Sequence, residues 1–236
     1  MEMLFFISAF FAEIIGTMAG FGSSTILLPL SLLFFDFRTS LVLVAFFHIV
    51  GNIGRMSFFK KGLDRKILFQ FGVPSVVATL VGAILVSQVP QDTLKRILGL
   101  FLAIYAIFSL YKENFRIKAL AAGMVIGGSV SGFLAGLIGT GGALRGAFLT
   151  GFGLPKDTYI ATAAAIALAV DATRIPIYLR QGFLDSAFYW YLPVLFILAL
   201  TGSYIGKQIV KRFPYEVFRK VVLIAIFLVG VKFIFD

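Results

Sequence analysis

The chain has no cysteine, a single histidine and a single tryptophan in 236 residues. Without cysteine there can be no disulfide, no thiolate metal site and no dithiol relay. One histidine leaves little for a metal cluster or for histidine-based catalysis. Charge is scarce as well: Asp, Glu, Lys and Arg together make up 14% of the chain. No G-x-S-x-G elbow and no G-x-x-x-x-G-K-[ST] loop occurs. Neither an intramembrane serine hydrolase built on Ser23 or Ser24 with His48 nor a self-contained ATP-driven machine is therefore expected. No cofactor or metal is expected, and the chain is not expected to be an enzyme.

Apolar sequence is abundant. Hydrophobic residues make up 60% of the chain, and the mean hydropathy is +1.00. About 20 apolar residues make one membrane span, and about eight hydrophobic segments can be traced, at 3–35, 39–59, 67–87, 97–111, 119–153, 158–179, 186–206 and 215–235. The expected fold is an all-α polytopic membrane protein with the lipid bilayer as its main partner. The N-terminal run has no basic region before it and reads as a first membrane segment, not a cleaved signal. The net charge of +10 fits the basic cytoplasmic loops of a multi-pass protein in the cytoplasmic membrane, not a nucleic-acid surface.

The sequence repeats. A shift of 119 residues aligns Gly20 with Gly139, Gly22 with Gly141, Asn52 with Asp171, Arg55 with Arg174, and Pro74 with Pro193. Further on the shift is 124: Pro90 then meets Pro214, and Lys95-Arg96 meets Arg219-Lys220. The two units are 1–114 and 115–236. Duplicated halves are common in secondary transporters.

Each half opens with a segment too long for one ordinary span: 3–35 would make a helix of roughly 50 Å against a core of about 30 Å. Each is broken by glycine, at AGFGSS (19–24) and GTGGA (139–143). Charge counting favours folding back. With two re-entrant hairpins, thirteen Lys and Arg fall on one side and five on the other; with two full spans the split is nine and nine. Each half then crosses three times, so the halves are inverted relative to one another.

A helix N-terminus follows each break and offers free N–H groups to an anion. Gly22, Ser23, Ser24 and Thr25 form the first candidate cradle, and Thr140, Gly141 and Gly142 the second. His48, Asn52 and Arg55 share one helix face, as do Asp171 and Arg174. Arginine inside an apolar span is costly and marks function; Arg55 and Arg174, at equivalent repeat positions, are expected to approach one central cavity and hold the anion between them. The repeat puts Asn52 where the other half has Asp171. Arg55 is therefore expected to lack a carboxylate, while Asp171 pairs with Arg174. Arg145, in the first turn after the second break, is placed either in the same cavity or at the interface. Asp171, Glu13 and His48 are the candidate proton carriers. GSVSGFLAG (128–136) reads as a close-packing stripe.

GFGSSTILLPLSLLF at 20–34, with Pro29, and GFLAGLIGTGGALRGAFLTGFGLPKDTYIATAAAIAL at 132–168 resemble the glycine-rich opening segments of the sulfite exporter TauE/SafE family of membrane permeases. Segment order agrees along essentially the whole chain. Ser23 and Ser24 stand where that family often has glycine, and Phe148 stands where its second proline would fall. The resemblance implies passage of sulfite, a sulfonate or a related small organic anion across the cytoplasmic membrane. The expected function is a secondary transporter, proton coupling included among its options, with a small anion as its ligand. An anion channel using the same site is the alternative, and the state of assembly, homodimer or not, stays open.

Overall fold

The structure is a computed structural model that describes residues 1–19, 22–58, 62–112, 120–209 and 215–235. Gly20 of the first break and the loop residues Lys60, Lys61, Arg116, Lys118, Lys211 and Arg212 lie outside the described residues. All regular structure among the described residues is helical. In chain order the helices are α1 (Glu2–Ala19), α2 (Ser24–Ser31), α3 (Phe37–Phe58), α4 (Arg65–Ile67), α5 (Val73–Leu85), α6 (Gln91–Tyr111), α7 (Ala121–Ile138), α8 (Gly142–Gly151), α9 (Lys156–Arg180), α10 (Tyr191–Ile209) and α11 (Tyr215–Phe235). A π-turn, Leu68–Gly72, joins α4 to α5. It lies just before Pro74, whose missing N–H removes one rung of the helical ladder. Among the described residues six helical stretches are long and apolar enough to cross a bilayer: Phe37–Ser57, Arg65–Gln88, Gln91–Tyr111, Ala121–Ile138, Asp157–Arg180 and Ser186–Ile209.

The opening segment folds back on itself. Phe5 near the start of α1 packs edge-on to Phe35, just after α2, with ring centroids 4.8 Å apart. At the apex Gly22 N donates to Gly16 O at 3.3 Å. The second broken segment does likewise. Gly127 on α7 faces the ring of Phe148 on α8, and Ser131 Oγ donates to Gly141 O at 2.9 Å. A continuous helix is ruled out at both places by left-handed glycines, Gly22 at φ +87° and Gly139 at φ +75°.

Helices α3 and α9 lie against each other antiparallel. Arg38 sits 5.2 Å over the Phe183 ring at one end of the pair, and Asp64 N donates to Thr162 Oγ1 at 3.1 Å at the other. Between these ends Asn52 meets Asp171. Helices α6 and α11 are also antiparallel: Lys95 lies over Phe233, and the backbones meet closely at Gly99 and Gly230.

The glycine stripe on α7 packs as expected. Gly128, Gly132 and Gly136 lie directly against the carbonyls of Phe71, Ser75 and Thr79, with no room for a Cβ. Ser75 Oγ and Thr79 Oγ1 donate across this contact to Gly128 O and Gly132 O, both at 2.9 Å. With no water to drive apolar association, small residues and such bonds hold helices together in a bilayer. Of the aromatic trio at the start of α10, Tyr189 and Trp190 are exposed. Tyr191 is instead buried among Phe5, Phe6 and Phe35, with its hydroxyl on Glu2.

Candidate functional site

The two helix breaks meet. Thr25 in the first turn of α2 and Thr140 in the loop before α8 are both fully buried, and their hydroxyls are 3.0 Å apart. Leu28 and Leu41 close over Gly139 beside them. No side chain caps either half-helix: Ser23 at the start of α2 makes no cap bond, and Gly141 before α8 has no side chain to offer. Neither N-terminus is capped by its own side chain, and each presents the positive end of the dipole.

Beside the breaks runs a buried polar chain that links five helices. Glu13 on α1 accepts from Arg55 Nη2 at 2.7 Å, Ser203 Oγ on α10 at 2.6 Å and Thr17 Oγ1 at 3.2 Å. Arg55 Nη1 donates to Asn52 Oδ1 at 3.0 Å, which turns the Asn52 amide nitrogen toward Asp171 Oδ2, 3.5 Å away. Asp171 Oδ2 also pairs with His48 Nδ1 at 2.7 Å. Its Oδ1 takes Arg174 Nε at 2.9 Å and Nη2 at 2.7 Å. Arg174 Nη1 continues to the carbonyl of Ala135 on α7 at 2.7 Å, and Tyr178 donates to Gly136 O beside it. Gly51 and Gly202 make room for Glu13: a Cβ on Gly51 would sit 2.5 Å from Oε1.

One buried cation stands outside this chain. Arg145 on α8 is 4% exposed and forms no ion pair among the described residues; the Asp171 carboxylate and Tyr159 act on it electrostatically. It lines a cavity with Thr17, Gly22, Asn52, Arg55, Gly142, Gly146, Ile160 and Ala163. Two guanidiniums and one glycine from each break thus surround a single space. The cavity volume is about 10 Å³, room for about one water molecule. Counted over the described residues, the buried Arg, Lys, Asp, Glu and His side chains are three arginines, two carboxylates and His48. With His48 neutral, these groups together carry one excess positive charge.

A family model described as sulfite exporter TauE/SafE matches residues 5–233. The chain belongs to the sulfite exporter TauE/SafE family. No curated protein matches it. Family membership and the six apolar helices make this a multi-pass membrane transport protein.

In this TauE/SafE protein the site differs from the sequence expectation in four ways. First, Arg55 does not lack a carboxylate; Glu13 supplies one from α1, which the alignment of Asn52 with Asp171 did not reveal. Second, Arg174 does not line the cavity with Arg55. Its guanidinium is occupied by Asp171 and the Ala135 carbonyl, and Arg145 takes that place. Third, the Thr25 and Thr140 hydroxyls pair with each other, and Ser23 Oγ is buried with no partner. Fourth, Gly141 is packed against Ser131 and Ala135 of α7, so Gly142, not Gly141, faces the cavity. The expected Asp171–Arg174 pair is present, and Asn52 and Gly22 lie in the cavity wall. Ser24 is buried at the start of α2. Ser203, Thr17 and Gly51 escaped the sequence reading. Thr17 follows Glu13 by one helical turn and was legible in principle. Ser203, 190 residues away, carries no local signal.

Proposed function

We propose that the protein is a secondary permease for a small oxyanion, sulfite, a sulfonate or a related organic anion, in the cytoplasmic membrane. The anion sits between Arg145 and Arg55, against the amides that open α2 and α8. Arg145 carries this reading. A guanidinium buried in a membrane protein is costly unless a counter-charge or a cavity relieves it. Here no carboxylate pairs directly with Arg145 among the described residues, Asp171 being already bonded to His48 and Arg174, while Arg55, Gly22 before α2 and Gly142 at the start of α8 line the same space. A guanidinium fork matches the geometry of an oxyanion, and helix N-termini favour negative charge.

The proposal includes inverted repeats, 1–114 and 115–236, that alternately expose this site. Several observations support it. Helices α1 and α7 have 18 residues each and begin 119 residues apart; α6 and α11 have 21 each and begin 124 apart. Asn52 and Asp171, equivalent under the shift, meet where α3 and α9 cross. Each half pairs one folded-back segment with three further helical stretches.

The test is equilibrium binding of sulfite, sulfate, thiosulfate, taurine, sulfoacetate and acetate to purified protein and to Arg145→Gln. Binding of at least one oxyanion to the wild type, weakened about tenfold or more in Arg145→Gln, is expected. Unchanged affinity in the variant refutes the site. Flux in proteoliposomes separates carrier from channel: a channel shows large conductance, a carrier saturates at slow turnover.

A further inference from the structure

His48 is 3% exposed, and its Nε2 has no hydrogen-bond partner among the described residues. Its other ring nitrogen is committed: Nδ1 lies 2.7 Å from Asp171 Oδ2. An ionised carboxylate only accepts, so Nδ1 carries the hydrogen, and in the neutral ring Nε2 is a bare lone pair. That lone pair points at Gly22. A Cβ on Gly22 would collide with it, and would lie 3.4 Å from Arg55 Nη1. Gly22 is part of the cavity wall. Gly22 thus touches both Nε2 and the cavity.

The charge count gives this atom a task. With His48 neutral the buried charged groups among the described residues carry one excess positive charge, which one monoanion balances. A dianion leaves one negative charge uncompensated in a low-dielectric interior, an expensive state. A proton on Nε2 removes the imbalance and converts an acceptor aimed at the break into a donor. The charged groups around His48 are Asp171 and Arg174 from α9, Arg55 from its own helix and Arg145 from α8, with Glu13 of α1 behind Arg55. Both carboxylates already face a guanidinium, so protonating either one would strand an arginine.

We propose that His48 Nε2 takes up one proton with each doubly charged oxyanion and none with a singly charged one. Asp171 orients the ring, and Gly22 brings Nε2 to the edge of the anion site. This rests on the Arg145–Arg55 site proposed above.

Two probes whose own charge is fixed across the neutral range test it: sulfate, a dianion, and methanesulfonate, a monoanion. Sulfate affinity should rise as pH falls, by up to tenfold per pH unit above the pKa of the unliganded ring. Methanesulfonate affinity should stay level. His48→Gln should level the sulfate profile. Calorimetry of the wild type in buffers of different ionisation enthalpy should count one proton per sulfate bound and none per methanesulfonate, which needs no variant to fold. Sulfate binding without proton uptake overturns the proposal and leaves the anion site standing. A sulfate profile that levels in Glu13→Gln but not in His48→Gln moves the proton to the carboxylate and also overturns it. If neither probe binds, this proposal falls, while the anion site is still judged on the wider set of oxyanions named above.

Discussion

The hydroxyls of Thr25 and Thr140, 115 residues apart in the chain, meet at 3.0 Å where the two broken segments touch. A carrier that exposes its site alternately must separate these tips. The chain has no cysteine of its own, so Thr25→Cys with Thr140→Cys gives one unambiguous pair. Their Cβ atoms should come within disulfide range, about 3.5–4.5 Å. Mild oxidation should cross-link the pair and stop anion flux, and reduction should restore it. Wild-type flux through the cross-linked protein would show that the tips stay together during transport.

The three buried arginines should not be equivalent. Arg145→Gln should lose about 1.5–3 kcal/mol of anion binding, roughly ten- to a hundredfold, with little loss of folded protein. Arg174→Gln should act mainly on stability, by about 3–5 kcal/mol, because it leaves Asp171 buried with its charge unpaired by any guanidinium. Arg55→Gln should do both, since its guanidinium faces the cavity and also neutralises Glu13. Thermal unfolding and binding measured on the same preparations separate the two effects. Equal affinity losses in all three would contradict this division.

Gly51 is a space for the Glu13 carboxylate, not a flexible point. Gly51→Ala should lower stability by about 1–3 kcal/mol, as overpacking of a close contact does. The displaced carboxylate should release Arg55 and change anion affinity as well. Gly62→Ala makes the comparison: Gly62 has positive φ but no atom within 4 Å of an added Cβ. It should cost only the backbone strain, about 1–2 kcal/mol, and leave affinity alone.

Orientation can be checked at the same Gly62. From the thirteen-to-five charge split, 60–66, 112–118 and 207–214 are expected in the cytoplasm and both termini outside. Gly62→Cys should resist an impermeant thiol reagent added to intact cells and react once the cells are opened. Labelling from outside would overturn the orientation.

What the sequence made legible was periodic or local. Glycine clusters inside overlong apolar runs announced the breaks at Gly22 and Gly139, and i, i+3 spacing announced the Asp171–Arg174 pair. The stripe of Gly128, Gly132 and Gly136 announced a close helix contact. What stayed hidden depended on which helix lies beside which. Glu13 is 42 residues from Arg55, and hydropathy carries no information about their approach. The repeat even pointed the wrong way, because it compares each residue with its counterpart and not with its neighbour in space. Arg145 has no counterpart of its own kind: the shift pairs it with Ile26. The residue that most strongly marks the site therefore lay outside the symmetry that drew attention to Arg55 and Arg174.

A space of about 10 Å³ takes about one water molecule, so an anion bound at the proposed site requires the cavity to open. Measured affinity is then a product of two quantities: how tightly the opened form binds, and how rarely the protein visits it. If the opened form amounts to about 1% of molecules, apparent affinity is about a hundredfold weaker than that of the opened form itself. A substitution that touches no ligand can therefore improve binding. Leu28 closes over Gly139 at the meeting of the tips. Leu28→Ala should loosen that closure, enrich the opened form and bind the anion more tightly than the wild type, while costing stability.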